Sequence, residues 1–178
     1  MCPTAAGLRL AALFLLATTL PAAEVKCEAP PEPQAETLAV VMKFEEDFSP
    51  PVVQEMQQEV EEILEPARFG LRWRFAQDHG GESSNHLITV KMKGRCTVLA
   101  GPRPKDTSLA LAATDIVDGT IIPYCDLNCD RVRNFIEPVI AKQNPQRSER
   151  LLGRALGRVL AHELYHILTD TVRHGRTA

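Results

Sequence analysis

Apolar and polar positions follow two different periods along the chain, and the changes of period predict an order of elements. TLAVVMKF (37–44) is a continuous apolar, β-branched run, which predicts a buried strand. LRWRF (71–75) and HLITVKMKG (86–94) alternate with a period of two and predict two further strands. GTIIPY (119–124) predicts a short strand at a sheet edge, because Pro123 cannot donate a ladder hydrogen bond.

Three segments have helical spacing. The first, 49–64, opens with Ser-Pro-Pro, since serine can cap a helix and proline is tolerated in the first turn. DRVRNFIEPVIAKQ (130–143) is helical in pattern with Pro138 inside it. The last helix covers 148–167, with Ser148 as its candidate N-cap. The polar face of the first helix is acidic, and we interpret it as a solvated surface made of Glu55, Glu59, Glu61 and Glu62.

These elements together predict an α/β (α+β) domain over 37–178, in which a small twisted mixed sheet is backed by helices. The chain has 178 residues, 44% hydrophobic and 24% charged, which suits one domain with a real core. Its net charge of −3 argues against a general nucleic-acid or membrane-surface partner, because neither attracts an acidic protein at long range. No apolar run reaches about twenty residues, so we expect no transmembrane segment. The oligomeric state stays open.

The first 36 residues differ in kind from the rest. In 1–23, Arg9 stands near the start of a short apolar run that ends in small residues, a pattern typical of a secretory signal peptide. EVKCEAPPEPQAE (24–36) is rich in proline and glutamate and predicts a linker. The sequence therefore predicts export, to the periplasm or to the outside of the cell.

Four cysteines remain after the signal. An even number in an exported chain indicates disulfides. We predict that Cys96 pairs with Cys129 or with Cys125, because Cys27 lies in the proline-rich linker. A metal site at Cys125 and Cys129 is the alternative, but it lacks a nearby second pair of ligands.

HELYHILTDTVRHG (162–175) holds three of the five histidines of the chain. His162 and His166 are four residues apart, so on a helix they lie about 40° apart and one turn along the axis, and their rings can converge on one zinc ion. Glu163 stands where it can take a proton from a metal-activated water. The alternative reading is two surface histidines on a helix.

A catalytic zinc site usually has three protein ligands, and His174 is the best third. In an unbroken helix His174 would lie about 12 Å further along the axis than His166. We therefore expect the helix to end soon after His166 and the chain to fold back. Asp170, which tolerates a left-handed turn, can end the helix and is also the alternative third ligand.

The same stretch resembles the active-site helix of the zincin metallopeptidases, most nearly the metzincin branch, whose motif is H-E-x-x-H-x-x-G-x-x-H followed by a Met-turn. The match holds at His162, Glu163 and His166. Thr169 stands at the glycine position and Val172 at the third histidine, so His174 comes two residues late. No methionine follows the motif.

The resemblance implies a zincin-like upper subdomain, with HExxH on the C-terminal helix and a sheet whose outermost strand runs antiparallel to bound peptide. GTIIPY (119–124) is the candidate for that strand. The likeness in architecture extends over residues 37–176, whereas the match to the motif covers only 162–166. Because the chain ends at Ala178, the lower subdomain of the family is missing, and we expect a domain truncated at its C-terminus.

The leading hypothesis is an exported zinc-dependent peptidase, a hydrolase of peptide or protein substrates, with Zn²⁺ on His162, His166 and His174 and with Glu163 as general base. The alternatives are a zinc-binding but inactive secreted domain, serving as a scaffold or binding module, and a metal-free binding domain.

Two features near the motif have simpler readings. The arginines spaced by four before it form a solvated face, although Arg158 could also hold a substrate carboxylate or support the site. Tyr165 is expected to pack rather than to act in catalysis. His79 and His86 are expected to be a loop and a strand-surface histidine.

Overall fold

The computed structural model describes residues 37–78, 84, 86–99 and 110–171. The predicted signal peptide and linker lie outside the described residues, as do Cys27, His79 and His174.

In the described part of the chain, five strands and three helices follow one another. The strands are β1 (Thr37–Phe44), β2 (Gly70–Phe75), β3 (His86–Lys93), β4 (Ala112–Val117) and β5 (Thr120–Asn128). The helices are α1 (Pro50–Leu64), α2 (Cys129–Ile140) and α3 (Pro145–Thr169), and a 3-10 turn at Glu65–Ala67 follows α1. Among the described residues no helix is both long enough and apolar enough to span a bilayer.

One mixed sheet has the strand order β2-β1-β3-β5-β4. β1 pairs in parallel with β2 and β3, and β3 pairs in parallel with β5, whereas β4 runs antiparallel to β5. The predicted α/β fold with a mixed sheet backed by helices is therefore confirmed.

The edge strand was wrongly assigned to GTIIPY (119–124), since that segment begins β5, which lies between β3 and β4. Asp118 and Gly119 both have positive φ, at 51° and 80°, so the two residues form a tight left-handed turn that returns the chain as a hairpin. Pro123 is tolerated inside the sheet because the β4–β5 register shifts there and pairing with β3 starts only at Tyr124.

The core joins the sheet to α1 and α3 in one cluster of buried apolar side chains. Alternate residues of β1 and β3 point into it, and so does one stripe of each helix. Its largest members are Leu38, Met42, Met56, Ile88, Met92, Leu127, Leu152, Leu156, Leu160 and Leu164. The buried stripe of α3 therefore holds the helix that carries HELYH against the sheet.

α1 and α3 meet at two glycines one helical turn apart. A Cβ added to Gly153 would lie 2.6 Å from the carbonyl oxygen of Val52, and one added to Gly157 would lie 2.8 Å from that of Met56. Distances this short mean that only glycine lets the two backbones approach so closely. Sequence reasoning missed this contact, although a glycine pair spaced by four inside a helical pattern is a recognisable signal.

Two predicted caps are wrong in detail. α3 starts at Pro145, where the side chain of Asn144 accepts a hydrogen bond from the backbone N–H of Arg147. Ser148 lies inside the helix, buried, and its hydroxyl donates to the carbonyl of Ile140. Ser49 occupies the N-cap position of α1, but its hydroxyl donates to Glu149 at 2.7 Å instead of capping.

A disulfide joins Cys96 to Cys129, one of the two predicted pairings. It ties the segment after β3 to the first residue of α2 and removes Cys129 as a metal ligand. Burial raises the pKa of the free Cys125 thiol to about 12, with a further contribution from the charge of Glu163. Cys125 is therefore a protonated core residue rather than a nucleophile.

Gly157→Ala is expected to destabilise the fold by about 1–3 kcal/mol, because its methyl group would force α1 and α3 apart. At an exposed helical position the same change would stabilise by up to about 1 kcal/mol. Urea unfolding measures the difference, with Gln146→Ala, exposed in the first turn of α3, as the control. A variant as stable as the wild type would contradict the tight contact.

Candidate functional site

The two histidines of the motif face each other in the last turns of α3. Their Nε2 atoms are 3.1 Å apart and their rings are nearly perpendicular, at 89°. Two ligand nitrogens at Zn–N distances of 2.0–2.1 Å and a tetrahedral angle lie about 3.3 Å apart. The pair formed by His162 and His166 therefore fits two positions of a zinc coordination sphere.

The orientation of His166 is set by the chain that follows the helix. Its Nδ1 lies 2.6 Å from the carbonyl oxygen of Thr171. Because a carbonyl only accepts, Nδ1 carries a hydrogen, and in the neutral imidazole the lone pair is then on Nε2, the atom that faces His162. Metal-binding histidines usually donate their second nitrogen in this way.

The helix ends where the sequence predicts. Thr169 is its last residue, and Asp170 adopts the left-handed conformation with φ 47° and ψ 46°. The backbone N–H of Thr171 then bonds back to the carbonyl of His166 at 3.2 Å. The expected break after His166 is confirmed, and the turn is what brings the Thr171 carbonyl to the imidazole.

The third ligand stays a prediction. Within the described residues no three histidine, cysteine, aspartate or glutamate side chains come together to hold a metal ion, so Asp170 does not join the pair there. His174 belongs to 172–178, which the structure does not describe.

Glu163 is buried beside the histidines and is held by a residue from the sheet edge. The hydroxyl of Thr114, on β4, donates to its Oε2 at 2.6 Å. The other oxygen, Oε1, has no hydrogen-bond partner among the described residues. Sequence reasoning missed Thr114 because it did not recognise β4. The signal was present, since a β-branched stretch directly before Asp118-Gly119 is typical of a hairpin.

A cavity of about 560 Å³ lies between β4 and α3. Its walls are mostly apolar, and its polar side chains come from the motif, from the turn of α3 before it and from Thr114 on β4. The lining residues are Leu111, Ala112, Ala113, Thr114, Ile116, Ile121, Arg158, Val159, His162, Glu163 and His166. The histidine pair and Glu163 thus open into a single concave site.

The arginines before the motif are exposed, as expected, but they are paired with the acidic face of α1. Arg154 and Arg158 both bond Glu59, each Nε lying 2.7 Å from a different carboxylate oxygen. Arg150 bonds Glu55 at 3.2 Å. The solvated-surface interpretation is wrong for Glu59, which is 6% exposed, because the close approach of the two helices covers it.

Glu59 stays charged in this setting. Burial raises its pKa, but the hydrogen bonds from Arg158 and Arg154 and their positive charges together outweigh burial, so the pKa lies below its usual value.

Tyr165 and His86 lie away from the cavity. Tyr165 is 49% exposed, and its ring packs edge-on against that of His166 with the ring centroids 5.9 Å apart; that it takes no part in catalysis stays a prediction. His86 is exposed at the first residue of β3, as expected.

Comparison with known proteins gives no relative: no protein-family model, no curated protein and no solved structure matches this chain.

Glu59→Gln is expected to lower the free energy of unfolding at pH 7 by about 1–2 kcal/mol, because it weakens two charge-assisted hydrogen bonds. The folded-state pKa of Glu59 is below its unfolded value, so its charge stabilises the fold above the unfolded pKa, and this contribution is lost as pH falls through the folded pKa. The gap between variant and wild type should therefore narrow below about pH 4.

Urea unfolding at pH 7 and pH 3 measures this gap, with the exposed Glu62→Gln as the matched control. A gap of the same size at both pH values would refute the role assigned to the Glu59 charge.

Proposed function

We propose that this protein is an exported zinc-dependent peptidase, with His162, His166 and His174 as metal ligands and Glu163 as general base. The observation that carries the proposal is the 3.1 Å separation of two Nε2 atoms in a cavity that also exposes a buried, oriented carboxylate.

Zinc bound there would supply a Lewis acid and a water that ionises near pH 7. The described residues fit this ion with two imidazoles, one of which has its lone pair fixed by the Thr171 carbonyl. His174 would complete the set from the segment after the turn at Asp170.

Glu163 moves the protons. Thr114 holds Oε2, which leaves Oε1 to accept a proton from the attacking water and then to donate it to the amine that leaves. Anchoring one oxygen on the sheet fixes the rotation of the carboxylate, so the second oxygen is aimed without a loss of side-chain entropy during the reaction.

β4 can bind a peptide substrate beside the histidine pair and Glu163. It is the last strand of the sheet, and it forms one wall of the cavity while the motif helix forms the other. Within the described residues no strand pairs with its outer edge, so an extended peptide can add to it by main-chain hydrogen bonds. β4 therefore matches the peptide-binding edge strand of zincin-like domains better than GTIIPY (119–124) does.

Export is supported by the Cys96–Cys129 bond, since such bonds persist in oxidising compartments. The signal peptide over 1–23 remains a sequence prediction.

Glu163→Gln is expected to reduce kcat for peptide hydrolysis by about 10²–10⁴-fold, which is the usual contribution of a general base, while bound zinc stays at one per chain. Turnover of a peptide mixture and metal content of the purified protein are the two measurements. Retained turnover would remove Glu163 from the mechanism. Zinc without hydrolysis in the wild type would favour the inactive zinc-binding domain instead.

His174→Ala is expected to weaken zinc binding by more than about 100-fold, because a lost ligand should cost more than the 10–100-fold of a lost supporting hydrogen bond. Competition with a chromogenic chelator measures the affinity. Asp170→Asn is the matched control, since it removes the rival carboxylate while asparagine still tolerates the left-handed turn. Unchanged affinity in His174→Ala would exclude the fold-back of 172–178 onto the site.

A further inference from the structure

Arg158 is the one arginine or lysine among the described residues that line the cavity. It precedes His162 by four residues, which puts it about 6 Å along the helix axis and about 40° around it. Gly157, its neighbour, faces α1. Arg158 therefore stands between the face of α3 that packs on α1 and the face that carries the histidines.

The Arg158 guanidinium is anchored through its Nε atom, while most of the side chain is exposed. Its Nε donates to Oε1 of Glu59 at 2.7 Å. The side chain is 65% exposed, whereas that of Glu59 is 7% exposed. A buried carboxylate thus anchors an arginine that is largely exposed and that lines the cavity.

Glu59 does not neutralise this arginine. It shares its single negative charge between Arg154 and Arg158, so the three side chains together carry a formal charge of +1. An arginine fork whose orientation is already fixed binds a carboxylate with less loss of rotamer freedom than a free lysine would. Arg158, the one member of this group that lines the cavity, therefore forms a positively charged seat in its wall.

We propose that Arg158 determines specificity by binding a carboxylate of the peptide substrate in the cavity beside the histidine pair. The inference rests on the proposed peptidase function and names the substrate class of that site. The carboxylate comes either from an aspartate or glutamate side chain or from the C-terminus of the peptide. In both cases the apolar walls at Leu111, Ile121 and Val159 receive the aliphatic part of the same residue.

The test compares the activity of the zinc-loaded full-length wild type on a set of fluorogenic peptides derived from one sequence, with a lysine peptide included for the charge-reversed variant. One pair differs only by glutamate against glutamine at a single position, scanned on both sides of the cleaved bond. The other pair differs only by a free or an amidated C-terminus. We expect kcat/KM to be at least tenfold higher for the carboxylate-bearing peptide of one pair. The difference should lie mainly in KM, because the seat binds the substrate beside the reacting groups and does not touch the reacting atoms. The pair that shows the preference identifies the source.

Arg158→Gln is expected to abolish this preference, Arg158→Lys to retain part of it, and Arg158→Glu to favour a lysine peptide. Arg154→Gln is the matched control, because Arg154 bonds the same Glu59 but does not line the cavity. Its preference should equal that of the wild type. Equal kcat/KM for all peptides, a preference that survives Arg158→Gln, or an equal loss in both arginine variants would overturn the assignment.

Failure of the peptidase function is separable from failure of this inference. If no peptide is cleaved, fluorescence anisotropy of the same labelled peptides on wild type and Arg158→Gln still tests the seat. Tighter binding of the carboxylate peptide that depends on Arg158 supports the seat without hydrolysis, and equal binding of all peptides rejects it.

Discussion

The backbone contact of α1 with α3 at Gly153 and Gly157 is the constraint on which the site depends. Because glycine at both positions lets the helices nearly touch, the rotation of α3 about its axis is fixed. At 100° per residue, His162 and His166 lie about 140° and 180° around the helix from Gly157, on the face away from α1. The same rotation turns Glu163 toward Thr114 on the sheet edge.

That contact also explains the charge pattern at the site. Two helices packed this closely leave a carboxylate of α1 out of water, and such a group needs ionic partners to stay charged. α3 supplies two arginines to Glu59, and one of them extends to the wall of the cavity. The same side chain, Arg158, therefore pairs with α1 and lines the cavity.

Local sequence patterns alone predicted much of this site. The spacing of His162 and His166 placed both imidazoles on one helical stripe, and the poor helix formers after His166 indicated where the helix stops. Thr114 could not be found in this way, because it acts on Glu163 across 49 residues of chain. Its role depends on β4 being the edge strand, which the hairpin turn and strand order decide together.

The sequence by itself determined most of the periodic elements and the α/β class, and it placed two histidines on one helical stripe, because each follows from contacts a few residues apart. It narrowed the disulfide of Cys96 to Cys129 or Cys125, and the structure decided for Cys129. Tertiary structure alone decided that β4 rather than GTIIPY forms the edge, that Glu59 is buried, and that Arg158 reaches the cavity. Those three features depend on how α1, α3 and the sheet approach one another. Contacts between segments so far apart in the sequence leave no periodic pattern of residues from which a side chain's exposure or partner could be predicted.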